Sequence, residues 1–334
     1  MGGDLMAGDK PHGGELFAKF DGIMERLGLL VSLVLLVIIF SNVSRFFFTL
    51  DNISNMLLSI ALIGITASGM TIVIICGGVD LSISSNIALT GVIVGSILHA
   101  GNPQWAGILA GLGVGILIGF LNGVSVSLFN ITPLIATLAS MIIVKGLAFI
   151  YSHGTSFGIY GTVPAFPDFG FWGRGIMFGI PTPVILLFFV MLITFFVLRK
   201  TVFGRELYAV GGNEEAARVS GIKIKQLKAV TYIISGVLSA FAGIILASRL
   251  TAGVPTAGTG YEMNAVAAVV LGGASLNGGK GKIEDTFLAV LVLGVLSNGF
   301  VLLGYSTFLQ DVARGIILLL SVGIDEMRNR RASK

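Results

Sequence analysis

The chain has 334 residues, of which 54% are hydrophobic and only 11% are charged, and its mean hydropathy is +0.95. Soluble domains carry about 25% charged residues, so this composition excludes a soluble protein and predicts an all-α integral membrane protein. The net charge of +4 says little by itself, because the distribution of Lys and Arg matters more in a membrane protein. No nucleic-acid partner is expected.

The glycine, cysteine and histidine content excludes further classes of protein and site. The 47 glycines have no fixed period, which excludes collagen and suits closely packed transmembrane helices. The single cysteine, Cys76, and the histidines His12, His99 and His153 lack ligand spacing. Neither a disulfide framework nor a zinc site is therefore predicted.

Ten apolar stretches follow a polar N-terminal tail over residues 1–26. No small-residue cleavage site follows the first of them, so no signal peptide is predicted. Each stretch is long enough, or nearly so, to cross a hydrocarbon core of about 30 Å. A transmembrane domain is therefore predicted over 27–324, with a second tail over 325–334. The predicted spans are 27–44, 53–76, 81–100, 105–128, 134–152, 181–199, 228–249, 263–275, 285–303 and 308–324.

Lys and Arg are distributed unevenly among the connecting segments. With the N-terminus inside, the cytoplasmic segments hold 16 of the 21, whereas the outer segments hold three, Arg45, Arg174 and Arg249. Positively charged residues are enriched in cytoplasmic loops. The split predicts that both termini and the loop over 200–227 are cytoplasmic.

The longest outer segment, residues 153–180, is rich in aromatic residues. Aromatics at this density near the end of a span are typical of the interfacial belt of a membrane protein. A docking surface for an extracytoplasmic partner is the alternative. The residues are Phe157, Tyr160, Phe166, Phe169, Phe171 and Trp172.

Residues 204–221, GRELYAVGGNEEAARVSG, are the only long polar interruption in the second half of the chain. Asn213 is a good N-cap, Glu214 and Glu215 favour a helix N-terminus, and Gly221 would end the helix. A helix of about two turns is not stable alone, so it needs a surface to lie against. Small side chains would let a partner protein approach closely: Ala216, Ala217 and Ser220.

Three short patterns recur in the same order in the two halves of the chain. They are GVDLS at 78–82 and GYEMN at 260–264, LNG at 121–123 and SNG at 297–299, and a cation before glycine at 145–146 and 314–315. The shared order favours two halves of five spans. Because five is odd, the halves must be inverted relative to each other, as in many transporters.

No catalytic residue is predicted, since paired carboxylates within the spans and a Gly-x-Ser-x-Gly elbow are lacking. Residues 272–282, GGASLNGGKGK, superficially resemble a phosphate loop. A Walker pattern ending at Lys280 would need glycine at 274 and Ser or Thr at 281, where the chain has Ala274 and Gly281. The segment is instead predicted to be a tight cytoplasmic turn.

Polar residues near or within the spans are candidates for a translocation path or gate. Asp80 and Glu262 lie at span ends, where each would cap the following helix or serve as a gate. Lys145 and Arg314 lie deeper, where snorkelling or local pairing competes with a functional role. Four amides would line a path for a hydroxyl-rich solute or hydrogen-bond between helices: Asn86, Asn122, Asn264 and Asn298.

From about residue 50 to 324 the chain resembles the membrane permease subunits of bacterial ATP-binding-cassette (ABC) importers for ribose, xylose, arabinose and galactosides. Four stretches carry the resemblance: GGVDLS at 77–82, TPLIATLASM at 132–141, FGRELYAVGGNEEAARVSGI at 203–222 and AVAAVVLGGASLNGGKG at 265–281. Two departures stand out. Ile83-Ser84-Ser85 replaces the usual Val-Gly-Ser, and Glu284 and Asp285 follow the GGKG turn, where they would cap the ninth span or contact an ATPase.

The resemblance implies that residues 200–227 are a coupling loop whose helix sits in a cleft of a cytoplasmic ABC ATPase. The matching residues are Gly212, Asn213, Glu214, Ala216, Ala217 and Gly221. It also implies a sugar-binding protein outside, a second copy or a sister permease, and ATP and Mg on the ATPase, with no cofactor in this chain. The expected function is translocation of a pentose or hexose across the bacterial inner membrane by alternating access. A nucleoside or furanose-like signal as cargo and an ion-coupled secondary transporter are alternatives.

Overall fold

The computed structural model describes residues 13–159 and 169–332, most of which are helical. The helices are α1 (Gly13–Val43), α2 (Leu50–Ile75), α3 (Ile83–His99), α4 (Gln104–Ser127), α5 (Pro133–Ser152), α6 (Gly170–Arg174), α7 (Thr182–Lys200), α8 (Val202–Gly212), α9 (Glu214–Val219), α10 (Ile224–Leu250), α11 (Tyr261–Leu271), α12 (Ile283–Leu302) and α13 (Thr307–Ala332). Four strands of two residues each lie in the connections between these helices: β1 (Phe157–Gly158), β2 (Ile176–Met177), β3 (Ile180–Pro181) and β4 (Ala252–Gly253).

Each of the ten predicted spans coincides with a helix, and the tails are partly helical because α1 and α13 extend beyond the predicted limits. Seven helices among the described residues are long and apolar enough to cross a bilayer: α1, α2, α4, α5, α7, α10 and α12. α3 has 17 residues and α11 has 11. At 1.5 Å per residue α11 is about 16 Å long, roughly half a hydrocarbon core. It is shorter than the predicted eighth span because it ends at Leu271, before two glycines.

α2 lies at the centre of the core. All of its residues from Ile60 to Ile75 are buried, and α7, α10, α11 and α12 pack around it. A helix that is apolar on every side is stable only when it is surrounded in this way or by lipid. α1, in contrast, packs mainly on α12 and leaves Val31, Val34 and Ile38 more than half exposed. This exposed apolar side suits contact with lipid.

Glycines recur at every fourth position along one side of α4, and all five are buried: Gly107, Gly111, Gly115, Gly119 and Gly123. A Cβ at Gly123 would lie 2.8 Å from Ala229 Cα of α10, and one at Gly115 would collide with the carbonyl of Gly236. Small residues at this spacing let two helix backbones approach closely within a membrane. The expectation that glycine serves close helix packing is confirmed at this interface.

The described part of the connection between α5 and α7, which is predicted to lie outside, folds back over α10. β1 pairs antiparallel with β4, and β2 pairs antiparallel with β3. Phe169 is 2% exposed and packs with Ile244 and Ala247, and Trp172 packs against the same cluster. The predicted interfacial belt is therefore wrong for these two aromatics, because their rings point into the protein. Tyr160 and Phe166 lie outside the described residues.

Candidate functional site

The segment after α7 folds into two helices, α8 and α9, whereas the sequence predicts one. Thr201 is the N-cap of α8, since its Oγ1 accepts a hydrogen bond from Gly204 N at 3.2 Å. The chain turns at Asn213, whose Oδ1 accepts from Ala216 N at 2.9 Å, so Asn213 is the N-cap of α9 as predicted. α9 ends just before Gly221, where a φ of +83° requires the left-handed conformation that glycine tolerates.

α9 rests on the protein with one side and exposes the other. Ala217 is only 4% exposed and packs into the core, so it does not offer a surface to a partner. Lys228 Nζ of α10 lies 2.7 Å from Glu214 Oε2 and ties the start of α9 to the body. Val219 is 84% exposed and was not predicted as a site residue. The presence of an apolar side chain in a polar helix could have pointed to it. The exposed residues are Gly212, Asn213, Glu214, Glu215, Ala216, Arg218, Val219, Ser220 and Gly221.

Glycines join α8 to the end of α2 and to the turn before α12. Gly211 lies against the carbonyl of Ile75, with no room for a Cβ. The same carbonyl accepts a hydrogen bond from Gly279 N at 2.9 Å. Gly204, Gly211 and Gly212 look like helix breaks in the sequence, which is why α8 was not predicted. The resulting backbone contact fixes the position of α9 relative to the core.

Tyr208 adds a side-chain link between α8 and the same turn. Its hydroxyl donates to Gly281 O at 2.8 Å. Burial raises the pKa of Tyr208, the charge of Glu284 raises it further, and Arg199 opposes both effects. The phenol therefore stays protonated near neutral pH and remains a hydrogen-bond donor. Arg199 Nη2 of α7 also lies 2.6 Å from Glu284 Oε1, so α7, α8 and α12 are joined at one end.

A cavity of about 570 Å³ lies beside α9, between the end of α4 and the start of α10. Its lining includes Arg218, Lys223, Lys225 and Lys228, against a single carboxylate, Glu214. An excess of positive charge in a concave surface favours an acidic group on a partner.

Asp80 is 1% exposed and accepts three hydrogen bonds. Its Oδ1 accepts from Ser82 N at 3.0 Å and from Ser82 Oγ at 2.6 Å, and its Oδ2 accepts from Ser235 Oγ of α10 at 2.7 Å. Asn122 Nδ2 of α4 donates to Ser82 Oγ at 2.8 Å. Ser82, not Asp80, is the N-cap of α3. The carboxylate thus holds the start of α3 against α4 and α10 instead of capping the helix directly.

The other candidate polar residues are dispersed. Asn86 is buried, and its Nδ2 donates to Gly236 O of α10 at 2.9 Å. Asn298 and Asn52 of α2 exchange amide hydrogen bonds of 2.8 and 3.1 Å. Glu262 lies in the first turn of α11 with Oε2 buried and without a hydrogen-bond partner, and Asn264 is half-buried in the same helix. In this conformation the side chains of Asn86, Asn122 and Asn298 therefore form hydrogen bonds that link different helices or their ends.

Residues 52–322 match the family model described as "branched-chain amino acid transport system / permease component". The chain is 43% identical over 310 residues to the ribose import permease protein of Bacillus subtilis, covering 93% of this chain and 95% of that protein. The chain belongs to this permease family. It is also 40% identical over 314 residues to the L-arabinose transport system permease protein of Escherichia coli, covering 93% and 94% of the two chains. No solved structure matches it significantly.

This membership confirms the resemblance to permease subunits of ABC sugar importers. The permease is accordingly a transport protein that passes several times through the bacterial cytoplasmic (inner) membrane, and its seven long apolar helices agree with that location.

The cations placed within spans differ in their surroundings. Arg314 Nη1 of the permease lies 2.8 Å from Asp311 Oδ1 one turn earlier in α13, which is the local pairing that the sequence suggests. Lys145 is exposed in the middle of α5 between Ile142 and Leu147, and among the described residues it forms no ion pair. A side chain as long as lysine can reach the membrane surface from such a position.

Glu284 and Asp285 both lie in the first turn of α12, where negative charge favours the helix N-terminus. Each also forms an ion pair within the permease: Glu284 with Arg199, and Asp285 with Arg26, at 2.7 Å between Oδ1 and Nε. In this structure both acids are therefore engaged by arginines of the same chain.

The glycine-rich segment before α12 forms the tight turn that the sequence predicts. Ser275 N donates to Lys280 O at 3.2 Å, and Gly278 packs against the backbones of Gly77 and Gly211. The glycines therefore serve backbone contact at this point. In the part of the chain that the structure describes, no three His, Cys, Asp or Glu residues gather to hold a metal ion, and Cys76 is a buried free thiol.

Proposed function

We propose that the permease is the membrane-spanning subunit of an ABC importer that carries a pentose by alternating access. A separate cytoplasmic ATPase binds ATP and Mg and supplies the driving force, and an extracytoplasmic sugar-binding protein delivers the cargo. The two relatives are named for ribose and L-arabinose, which are both pentoses, so their names favour a pentose over a hexose as the cargo. They also favour sugar over the amino acids in the family description. A second permease, the same chain or a sister, completes the assembly.

The observation that carries this proposal is that α9 exposes one side while its other side is held to the core. Ala217, Lys228 and the glycine contacts of α8 hold the short helix to the core, while Glu215, Ala216 and Val219 face outward. A short helix anchored in this way transmits a push or pull from a docked ATPase to α2 and α10. The neighbouring cationic cavity would receive acidic groups of the ATPase. Binding then shifts the permease between two states through its differential contacts.

Contacts between the loops support ten crossings with both termini in the cytoplasm. Three segments predicted inside meet at one end of the bundle, around Gly77, Gly211 and Gly279. Two segments predicted outside meet at the other end, where β1 pairs with β4. This sorting is the one that two inverted halves of five spans require.

An ion-coupled transporter is the less favoured function. Ion coupling would use a carboxylate available near the middle of the membrane. Both oxygens of Asp80 already accept hydrogen bonds from serine residues, and Glu262, whose Oε2 has no hydrogen-bond partner, lies in the first turn of α11 at the end of a predicted span. Uptake that survives ATP depletion and collapses with a proton or sodium uncoupler would support that alternative.

Ala216→Trp tests ATPase docking, because it places a large side chain on the exposed side of α9. A side chain too large for a close interface destabilises the complex, and a loss of about 1.4 kcal/mol of binding free energy weakens binding tenfold. Sugar-stimulated ATP hydrolysis in the reconstituted complex should fall at least about tenfold, with membrane insertion unchanged. Leu117→Trp, on the exposed apolar side of α4 and away from α9, is the control and should keep normal activity. Normal coupling in the Ala216 variant would refute docking at α9.

A further inference from the structure

A groove of about 500 Å³ opens between α7 and α12, beside the start of α1. Both helices pack on α2 but contact each other little, so a cleft remains between their outer sides. Its walls are formed by Phe188 and Leu192 of α7 and by Phe287 and Leu288 of α12. Phe188 is 66% exposed and Leu192 is 49% exposed. The groove therefore faces the hydrocarbon of the bilayer.

One end of the groove carries charge. Arg26 and Glu284 line it, and Arg199 reaches it by stacking its guanidinium 5.1 Å from the ring centre of Phe195, which also lines the groove. Arg26 and Arg199 pair with Asp285 and Glu284, yet their side chains stay 44% and 49% exposed. A guanidinium has five N–H donors, so each retains donors for another acceptor. Among the side chains that the structure describes at this end, Lys282 of the same turn adds a third cation to two carboxylates.

We propose that this groove binds one anionic phospholipid. An acyl chain lies along Phe188, Leu192 and Leu288, and the phosphate lies between Arg26 and Arg199. The apolar walls alone would accept the chain of any lipid. The cations at the mouth add a preference for negatively charged head groups, which bacterial inner leaflets supply. Charged side chains lie at the end of the groove, and apolar side chains lie along its length. A phospholipid has the same arrangement, with a charged head group followed by acyl chains.

Native mass spectrometry of the purified full chain tests the proposal, with phosphatidylglycerol and phosphatidylcholine of identical acyl chains as probes. We expect one phosphatidylglycerol to bind at least about tenfold more tightly than phosphatidylcholine. A cation near a membrane surface contributes about a fivefold preference for an anionic lipid. Arg26→Gln and Arg199→Gln should each lower the preference by about that factor. Arg45→Gln, which removes an exposed cation near the other end of α1, is the control and should not change it.

A substitution that fills the groove tests the contribution of its apolar walls separately from that of its charges. Leu192→Trp should weaken binding of both lipids severalfold, whereas Leu117→Trp on the exposed side of α4 should not. A photoreactive acyl chain on phosphatidylglycerol should label peptides from 184–195 and 283–288 in the unaltered chain, a readout independent of folding of the variants. Equal affinity for the two lipids, labelling elsewhere, or cross-links between two copies of the chain through residue 188 or 192 would each overturn the proposal.

Discussion

Asp80 shows at the scale of one residue how a buried carboxylate can organise three elements. The GVDLS pattern suggested a cap or a gate, and the structure instead places Asp80 between Ser82 and Ser235. Because the site is buried, with the carboxylate 1% exposed, Ser82 N would have no acceptor without Asp80. Its role in this conformation is to fix the start of α3 against α10.

Asp80→Ala should therefore destabilise the permease. The two serine hydroxyls can reorient, but Ser82 N would stay buried without an acceptor, at a cost of about 1–3 kcal/mol. We expect a lower midpoint of thermal unfolding in detergent. Asp51→Ala, which removes an exposed carboxylate from the first turn of α2, is the control and should cost at most about 1 kcal/mol. An Asp80 variant with normal stability but no transport would instead identify Asp80 as a gate.

Local rules predicted some residues of the candidate site and not others. Asn213 as a cap and Gly221 as a helix end follow from short-range backbone chemistry, and both are present. The direction of Ala217 and Val219 depends on how α9 lies against α10, which no local pattern determines. Ala217 was therefore wrongly assigned to the exposed side, and Val219 was overlooked.

At the scale of elements, apolar runs located the helices of the membrane domain well, because crossing hydrocarbon demands a long uninterrupted apolar helix. α8 escaped prediction because its glycines resemble breaks, while in the fold they allow contact with Ile75. Phe169 and Trp172 were assigned to the membrane interface because their burial against α10 arises from a long-range contact. Composition gives the polarity of a segment but not the surface that it covers.

The glycine stripe of α4 supports a sharp comparison within one helix. At Gly115 a Cβ would collide with Gly236 of α10, whereas at Gly113 nothing lies within 4 Å. Gly115→Leu should push the two helices apart and cost about 3 kcal/mol or more. Gly113→Leu should leave stability unchanged or raise it by up to about 1 kcal/mol, since leucine favours a helix over glycine. Thermal unfolding and the yield of monodisperse protein measure both, and equal effects would show that the close contact is not needed.

At the scale of the whole molecule, the topology depends on whether the short helix α11 crosses the membrane. Its 11 residues cover roughly half of the hydrocarbon. The loop from β4 to α11 and the glycine turn after α11 would have to cover the rest. Irregular backbone is tolerated at membrane depth where protein surrounds it, and Val270, Ala274 and Ser275 are buried. We therefore expect α11 and its flanking segments to make a complete crossing.

Labelling of single cysteines decides this point and the orientation of α9 together. Cys76→Ala removes the sole, buried cysteine and provides the background. Thr259→Cys and Lys280→Cys, at exposed positions on either side of α11, should then react differently with a membrane-impermeant maleimide. Position 259 should be labelled in intact cells, and positions 280 and 215, the latter as Glu215→Cys, only after the membrane is opened. Labelling of 259 and 280 from the same side would remove one crossing, place the termini on opposite sides and break the symmetry of the halves. Labelling of 215 from outside would place α9 beyond the reach of any cytoplasmic ATPase.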